Sequence, residues 1–209
     1  WRWRVLDNYV IMPITINGSG TVTGISVGGL PDGIVDTDMI ANSAVTSAKS
    51  SGLGGLTEAD LWRLTTSFVG DADPITSNLE RVDTNAAGHL GTGMSHSSGV
   101  FTFPSTGFWL ITFTANYLNN GGSSENVNRI EVTTDNGSNW LNGGFSSCAI
   151  GDKSQNWCVS ATTHHLLDVT DTTNVKVRFS CGVQNNNVTV RGDTGENLTS
   201  FSFLKLGDT

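Results

Sequence analysis

Over residues 108–117 the apolar positions recur with a period of two: Phe108-Trp109-Leu110-Ile111-Thr112-Phe113-Thr114-Ala115-Asn116-Tyr117. Side chains alternate across a strand, so Trp109, Ile111, Phe113, Ala115 and Tyr117 form one face, predicted to lie against a core. Phe108 and Leu110 begin the opposite face, which calls for a second cover such as another subunit. Shorter stretches predict strands over residues 127–134, 160–167, 174–181, 187–191 and 198–206. Between them stand Asn119-Asn120-Gly121-Gly122, Asp135-Asn136-Gly137-Ser138-Asn139, Asp171-Thr172-Thr173-Asn174 and Gly192-Asp193-Thr194-Gly195, all rich in turn formers. Thr57-Glu58-Ala59-Asp60 has the form of a helix N-cap box, predicting a single helical turn at most, before a strand over 64–69. About eight short strands and no βαβ alternation predict an all-β fold, an antiparallel sandwich or jelly roll, over residues 57–209.

The pattern upstream is different. Residues 14–55 contain no Phe, Tyr or Trp and are dominated by Gly, Ser, Thr and Ala in short apolar steps. One chain of that kind cannot bury enough apolar surface to form a core. Gly33-Ile34-Val35-Asp36-Thr37-Asp38-Met39-Ile40-Ala41 is echoed by Ser43-Ala44-Val45-Thr46-Ser47-Ala48-Lys49. Residues 1–56 therefore read as a thin stem or attachment segment packing against copies of itself, or as a flexible linker. Met12-Pro13 marks either a natural start inside a longer reading frame or an internal point of a processed or partly covered chain.

Composition sharpens the class. Gly, Thr, Ser and Asn account for 92 of the 209 residues, while Lys and Arg together number 11. A mostly helical protein is excluded by the scarcity of straight-chain charged residues. The formal charge of −8 offers no basic stripe for phosphates, so nucleic acid is not an expected partner. Apolar runs such as Phe108-Trp109-Leu110-Ile111 stop at four residues, so no helical membrane insertion is expected. Cys181 falls in phase with Val175, Val177 and Phe179 and reads as a buried small hydrophobe. Cys148 and Cys158 bracket a loop, either bridged or as two thiols. Sequons at Asn17, Asn136, Asn187 and Asn197 imply nothing without a secretory route.

Ser98-Gly99-Val100-Phe101-Thr102-Phe103-Pro104-Ser105-Thr106-Gly107, running into the strand at Phe108, resembles the early-strand signature of C1q/TNF-like jelly rolls. Ser200-Phe201-Ser202-Phe203-Leu204-Lys205-Leu206 is similar to that family's last strand, near the threefold axis. The phrase Ile16-Asn17-Gly18-Ser19-Gly20-Thr21-Val22-Thr23-Gly24-Ile25, with Gly29-Leu30-Pro31-Asp32-Gly33, resembles phage fibre and virion-appendage proteins. No Gly-x-y repeat is present, which removes any reason to infer complement or cytokine activity. The two resemblances together imply a homotrimeric head on a stem at the virion surface, tail or appendage. The stem would meet another virion protein and the head a bacterial surface glycan or protein. A virion decoration or connector without a receptor is the alternative. Phe108, Leu110, Phe201 and Phe203 are the expected trimer-interface residues.

Candidate chemistry is sparse. His89 and His96 lie in a Gly/Ser/Thr loop, and His164 and His165 point to opposite faces of a strand. No HExxH, nucleophile elbow or phosphate loop occurs, so catalytic residues are not expected. The pairs Asp71/Asp73 and Asp168/Asp171 are the sole basis for a third reading, glycan hydrolysis. No cofactor is expected; the turn at Asp135 and the Asp168/Asp171 pair are oxygen-rich enough for calcium, but fit an Asx turn better than a calcium loop. Trp140 with Asn142, and Trp157 with Asn156, combine flat indole surface with amide hydrogen bonding and are the expected receptor-binding residues.

Overall fold

The computed structural model describes residues 55–151 and 157–209. The stem expected over 1–56 therefore lies outside the described residues but for its last two positions, as does Asn156. In chain order the first six strands are β1 (Ala59–Leu64), β2 (Phe68–Val69), β3 (Leu79–Arg81), β4 (Ser95–Ser97), β5 (Val100–Thr102) and β6 (Gly107–Leu118). The others are β7 (Ser123–Thr133), β8 (Leu141–Ile150), β9 (Cys158–Val169), β10 (Lys176–Val183), β11 (Thr189–Val190) and β12 (Ser200–Gly207). They pair antiparallel into two sheets. Sheet A runs β2-β11-β6-β12-β1-β3, with β9 on the free edge of β6, and sheet B runs β4-β5-β10-β7-β8. The described chain is an all-β jelly roll.

β6 is the central strand. Trp109, Ile111, Phe113, Ala115 and Tyr117 are all fully buried, as their alternation predicts. Register carries this face onto β12, because Phe113 pairs with Phe201 and Ile111 with Phe203. Directly paired residues share a face. Phe201 and Phe203 are consequently core residues with no exposed surface, not the trimer-interface residues expected from the sequence. Phe113 stacks on Phe201 at 4.9 Å between ring centroids, and Phe179 from sheet B meets Phe201 at 4.5 Å.

The Ser98–Gly107 phrase has a local cause. Ser98 and Gly99 both take positive φ (48° and 78°), as a two-residue hairpin between β4 and β5 demands. A Cβ on Gly99 would lie 2.0 Å from the Ile75 carbonyl oxygen, so glycine is required there. Phe101 and Phe103 then enter the core.

Three sequence readings need correction. Residues 57–60 form no helical turn. Asp60 instead sits inside β1, where Trp62 Nε1 (2.9 Å), Arg81 Nε (3.0 Å) and the Met94 amide (2.6 Å) all donate to its carboxylate. These donors satisfy the acid in the strand, so no cap is needed. The strand expected over 64–69 is broken, with β1 ending at Leu64 and only Phe68–Val69 extended. Finally, β8 forms where no strand is predicted and runs into the start of the expected 149–157 loop, so Cys148 lies within a strand; Cys148 and Cys158 are free thiols. Cys181 is buried as expected, and burial pushes its thiol up to about 12.

Polar side chains tie the sheets where β7 crosses β6 and β9. Asn128 Nδ2 donates to the carbonyls of Phe113 (3.0 Å) and Ala161 (3.1 Å), and the Tyr117 hydroxyl donates to the Val127 carbonyl (2.6 Å). Beside them the backbones of β8 and β9 approach closely. A Cβ on Gly144 would sit 2.8 Å from Thr163 Oγ1, and one on Gly143 2.8 Å from the His165 ring.

Phe113→Ala and Phe203→Ala should each lower the unfolding free energy by roughly 3–5 kcal/mol, the cost of truncating a buried Phe. Urea unfolding at two protein concentrations checks this, and both variants should show the same concentration dependence. A stronger dependence for Phe203→Ala would return that ring to a subunit contact.

Candidate functional site

The outer face of sheet A is built by the residues that alternate with the core. Leu110 pairs with Leu166 of β9 on one side and Leu204 of β12 on the other, and Leu204 pairs with Ala59 of β1. This apolar row crosses four strands, and Leu166 is 55% exposed. Phe108, 39% exposed, continues it at the strand end. One step along β6 the face turns polar: Thr112 pairs with His164 and Ser202, and Thr114 with Thr162 and Ser200. Phe108 and Leu110 thus remain on an open face, while Leu166 and Leu204 join them.

The outer face of sheet B has the opposite character. The Arg178 guanidinium lies 4.3 Å from the Trp140 ring centroid and donates to Glu131 Oε2 at 3.1 Å. Ser180 Oγ is within hydrogen-bond reach of both Glu131 and Asp73, tying the array to the segment after β2. Further along the same face is an open groove of about 340 Å³, lined by Asp71, Glu125, Arg129, Phe145, Gly182 and Gln184 among others. Gly182 forms the floor; a Cβ there would lie 3.6 Å from Arg129 Nη1 and 4.0 Å from Asp71 Oδ1. Arg129 stands 5.6 Å from the ring centroid of Phe145, whose ring is half exposed.

The expected receptor-binding residues do not form one site. Trp140 and Asn142 stand at the start of β8, and Trp157 lies beyond its end. Ten strand residues span roughly 33 Å. Asn142 is exposed opposite Glu131. Trp140 is partly buried beneath Arg178, with Gly137 against its edge, so it anchors the 135–139 turn as well as facing outward. Trp157 is 50% exposed, and its carbonyl accepts the Asn119 amide at 2.8 Å. Sequence reading missed Arg129, Phe145, Gly182 and Gln184. The available signal was a lone phenylalanine among Gly and Ser in Gly143-Gly144-Phe145-Ser146-Ser147.

The titratable groups are dispersed. His164 is exposed on the outer face and His165 turns inward against Gly143. His96 is not a loop residue but part of β4, edge-on to Trp62 at 5.0 Å, and burial lowers its pKa. Asp71 Oδ1 accepts the Val183 amide, and Asp73 Oδ1 lies 3.0 Å from the Ser180 hydroxyl. Asp171 accepts the Thr173 amide and Asn174 Nδ2. The Asp135 turn is an Asx-type arrangement: Oδ1 accepts Thr133 Oγ1 (2.7 Å) and the Asn139 amide (2.9 Å), and Oδ2 accepts Asn139 Nδ2. Among the described residues no group of three or more His, Cys, Asp or Glu is placed to hold a metal.

With this geometry in hand, known proteins supply the fold class. No family model matches the sequence, and no curated protein matches it. Among solved structures, the Eiger TNF from S. frugiperda aligns over 74% of this chain and 96% of its own, at 10% identity and a TM-score of 0.51. Murine APRIL aligns over 71% and 98%, at 10% identity and a TM-score of 0.46. The likeness to Eiger shows a TNF-like jelly roll.

The Asp135 carboxyl is held down to about 2 from an ordinary 3.8, first by the Thr133 hydroxyl and then by Asn139. Its folded value lies below its unfolded one, so its contribution to stability is present above about pH 4 and is lost as pH falls through about 2. Carbon-detected NMR titration should give Asp135 a midpoint near 2. Thr133→Ala should move it upward, and an unchanged midpoint would assign the shift to Asn139 instead.

Proposed function

We propose that the jelly roll is the self-associating recognition head of a bacteriophage virion appendage or tail fibre. Three copies meet through the outer face of sheet A, and residues 1–56 connect the head to another virion protein. The outer surfaces, including sheet B and the Trp157 end, contact a bacterial surface glycan or protein. The observation that carries this reading is the chemical opposition of the two outer faces. Sheet A presents Phe108, Leu110, Leu166 and Leu204 as an apolar row crossing strands, the kind of patch that marks an interaction surface. Sheet B presents arginines paired with aromatic rings and half-exposed polar groups. The number three comes from the resemblance to C1q/TNF-like heads, and the virion setting from the stem phrase over residues 16–33.

Light scattering at micromolar concentration should give about 66 kDa, three times 22.1 kDa. Leu166→Arg, at an exposed strand position, should leave the monomer within about 0.5 kcal/mol of its stability while abolishing the trimer. A wild-type mass of 22.1 kDa would refute the assembly. For recognition, the fluorescently labelled chain should bind intact bacteria of its host range. Failure on every host surface, together with tight binding to a purified virion component, would replace the receptor reading with a connector.

A further inference from the structure

Seven cations fall among the described residues, and six have hydrogen-bond partners there. Arg63 donates to Glu80, Arg81 to Asp60, Arg178 to Glu131, Arg191 to Asn116, Lys176 to Thr102 and Lys205 to Asp208. Arg129 is the exception. Its side chain donates no hydrogen bond among the described residues and stands in none of their ion pairs. Its guanidinium instead lies beside the half-exposed Phe145 ring, in the groove on sheet B.

The groove's other charged groups, Asp71 and Glu125, are acceptors. Asp71 Oδ1 is taken by the Val183 amide, and the Glu125 carboxylate accepts no hydrogen bond among the described residues. Gln184 Oε1 accepts from Ser124, which leaves its amide NH₂ as a donor. Across the Gly182 floor, donor and acceptor walls face each other. From the two contacts of the built Cβ, 3.6 and 4.0 Å, Arg129 Nη1 and Asp71 Oδ1 are no more than about 7.6 Å apart, and they form no direct ion pair.

We propose that this groove binds a neutral pyranose sugar. Vicinal hydroxyls donate and accept at once, so a single sugar edge bridges the Arg129 fork and the carboxylates of Asp71 and Glu125. The Phe145 ring offers the flat apolar surface that packs on the C–H face of a pyranose. The mixed charge disfavours the charged alternatives. Two carboxylates repel an acidic sugar, and Arg129 offsets one of them, which weakens the pull on a small cation. Gly182 matters because any side chain there would stand between the two walls. This site deepens the recognition reading and rests on it for its biological role, though not for its chemistry.

The test uses the full chain and saturation-transfer NMR with the methyl glycosides of glucose, galactose, mannose and N-acetylglucosamine. N-acetylneuraminic acid serves as the acidic comparator. At least one neutral glycoside should receive saturation at its ring protons, and Arg129→Ala and Phe145→Ala should each weaken it about 10-fold or more. Val69→Ser, on the exposed edge strand of the other sheet, should bind as wild type. Melting curves accompany each variant. Should Phe145→Ala fail to fold, Arg129→Lys and Glu125→Gln keep the site's shape and should still weaken binding. Four silent neutral glycosides, a preference for the acidic sugar, or wild-type binding by the Arg129 variants would each overturn the groove. Bacterial binding separates the two claims. Unimpaired binding by Arg129→Ala leaves the recognition reading standing without this groove, and sugar binding by a chain that ignores bacteria does the reverse.

Discussion

Phe113, Phe201 and Phe179 meet at centroid distances of 4.9 and 4.5 Å in the middle of the sandwich, and they set the facing of every long strand around them. A strand has two faces and this fold has one core, so each residue sent inward dictates what its neighbours show outward. With Phe113 inward, β6 must show Phe108, Leu110, Thr112 and Thr114. With Phe201 and Phe203 inward, β12 must show Ser200, Ser202 and Leu204. The apolar residues left over gather at one end of sheet A, where Leu110, Leu166 and Leu204 share a row. The apolar row on this face is thus the remainder of the core's own arithmetic, not an added module.

The same constraint shapes sheet B. Where β8 packs over β9, the sheets approach too closely for bulk: Gly144 faces Thr163 and Ile130, and Gly143 faces the His165 ring. Asn128 fills the neighbouring space by bonding across to the Phe113 and Ala161 carbonyls, which satisfies buried acceptors on the opposite sheet. β8 therefore places its small residues inward and its phenylalanine outward. Phe145 is exposed because the interior had no room for it on that strand. Its cross-strand partner is Arg129. An aromatic ring beside an arginine on an open sheet is the product of register, not of sequence proximity.

Legibility followed the same line. β6 and the Ser98–Gly107 phrase were readable because alternation, glycine chemistry and burial agree there. The assignment of Phe201 and Phe203 to a subunit contact gave weight to the place of the last strand near an axis over the strand's own pattern. Ser200-Phe201-Ser202-Phe203 already alternates polar and apolar, and its serines are the outward set. β8 was illegible because its pattern is inverted, with glycine facing the core and phenylalanine facing water. Thr57-Glu58-Ala59-Asp60 carries a capping signal that the neighbouring Trp62 indole and two distant donors to Asp60, Arg81 and the Met94 amide, overrule. The groove residues are scattered from Asp71 to Gln184, and no local motif joins them.

Charge then decides how such a surface works. At −8 per chain, the protein has no bulk attraction for an anionic cell surface. Exposed charges are screened beyond about 8 Å at physiological ionic strength, so the net repulsion does not reach far either. What remains is contact. Most described cations are spent inside the fold: Arg63 on Glu80, Arg81 on Asp60, Arg178 on Glu131. They hold strands and turns in place and have little to offer a ligand. Arg129 keeps its donors in a groove whose other charged groups are the Asp71 and Glu125 carboxylates, so its charge offsets one of the two while the hydrogen-bonding groups stay directed. Such a site discriminates by the pattern of donors and acceptors at short range, and a neutral, hydroxyl-rich partner meets that pattern without the cost of burying an unpaired charge.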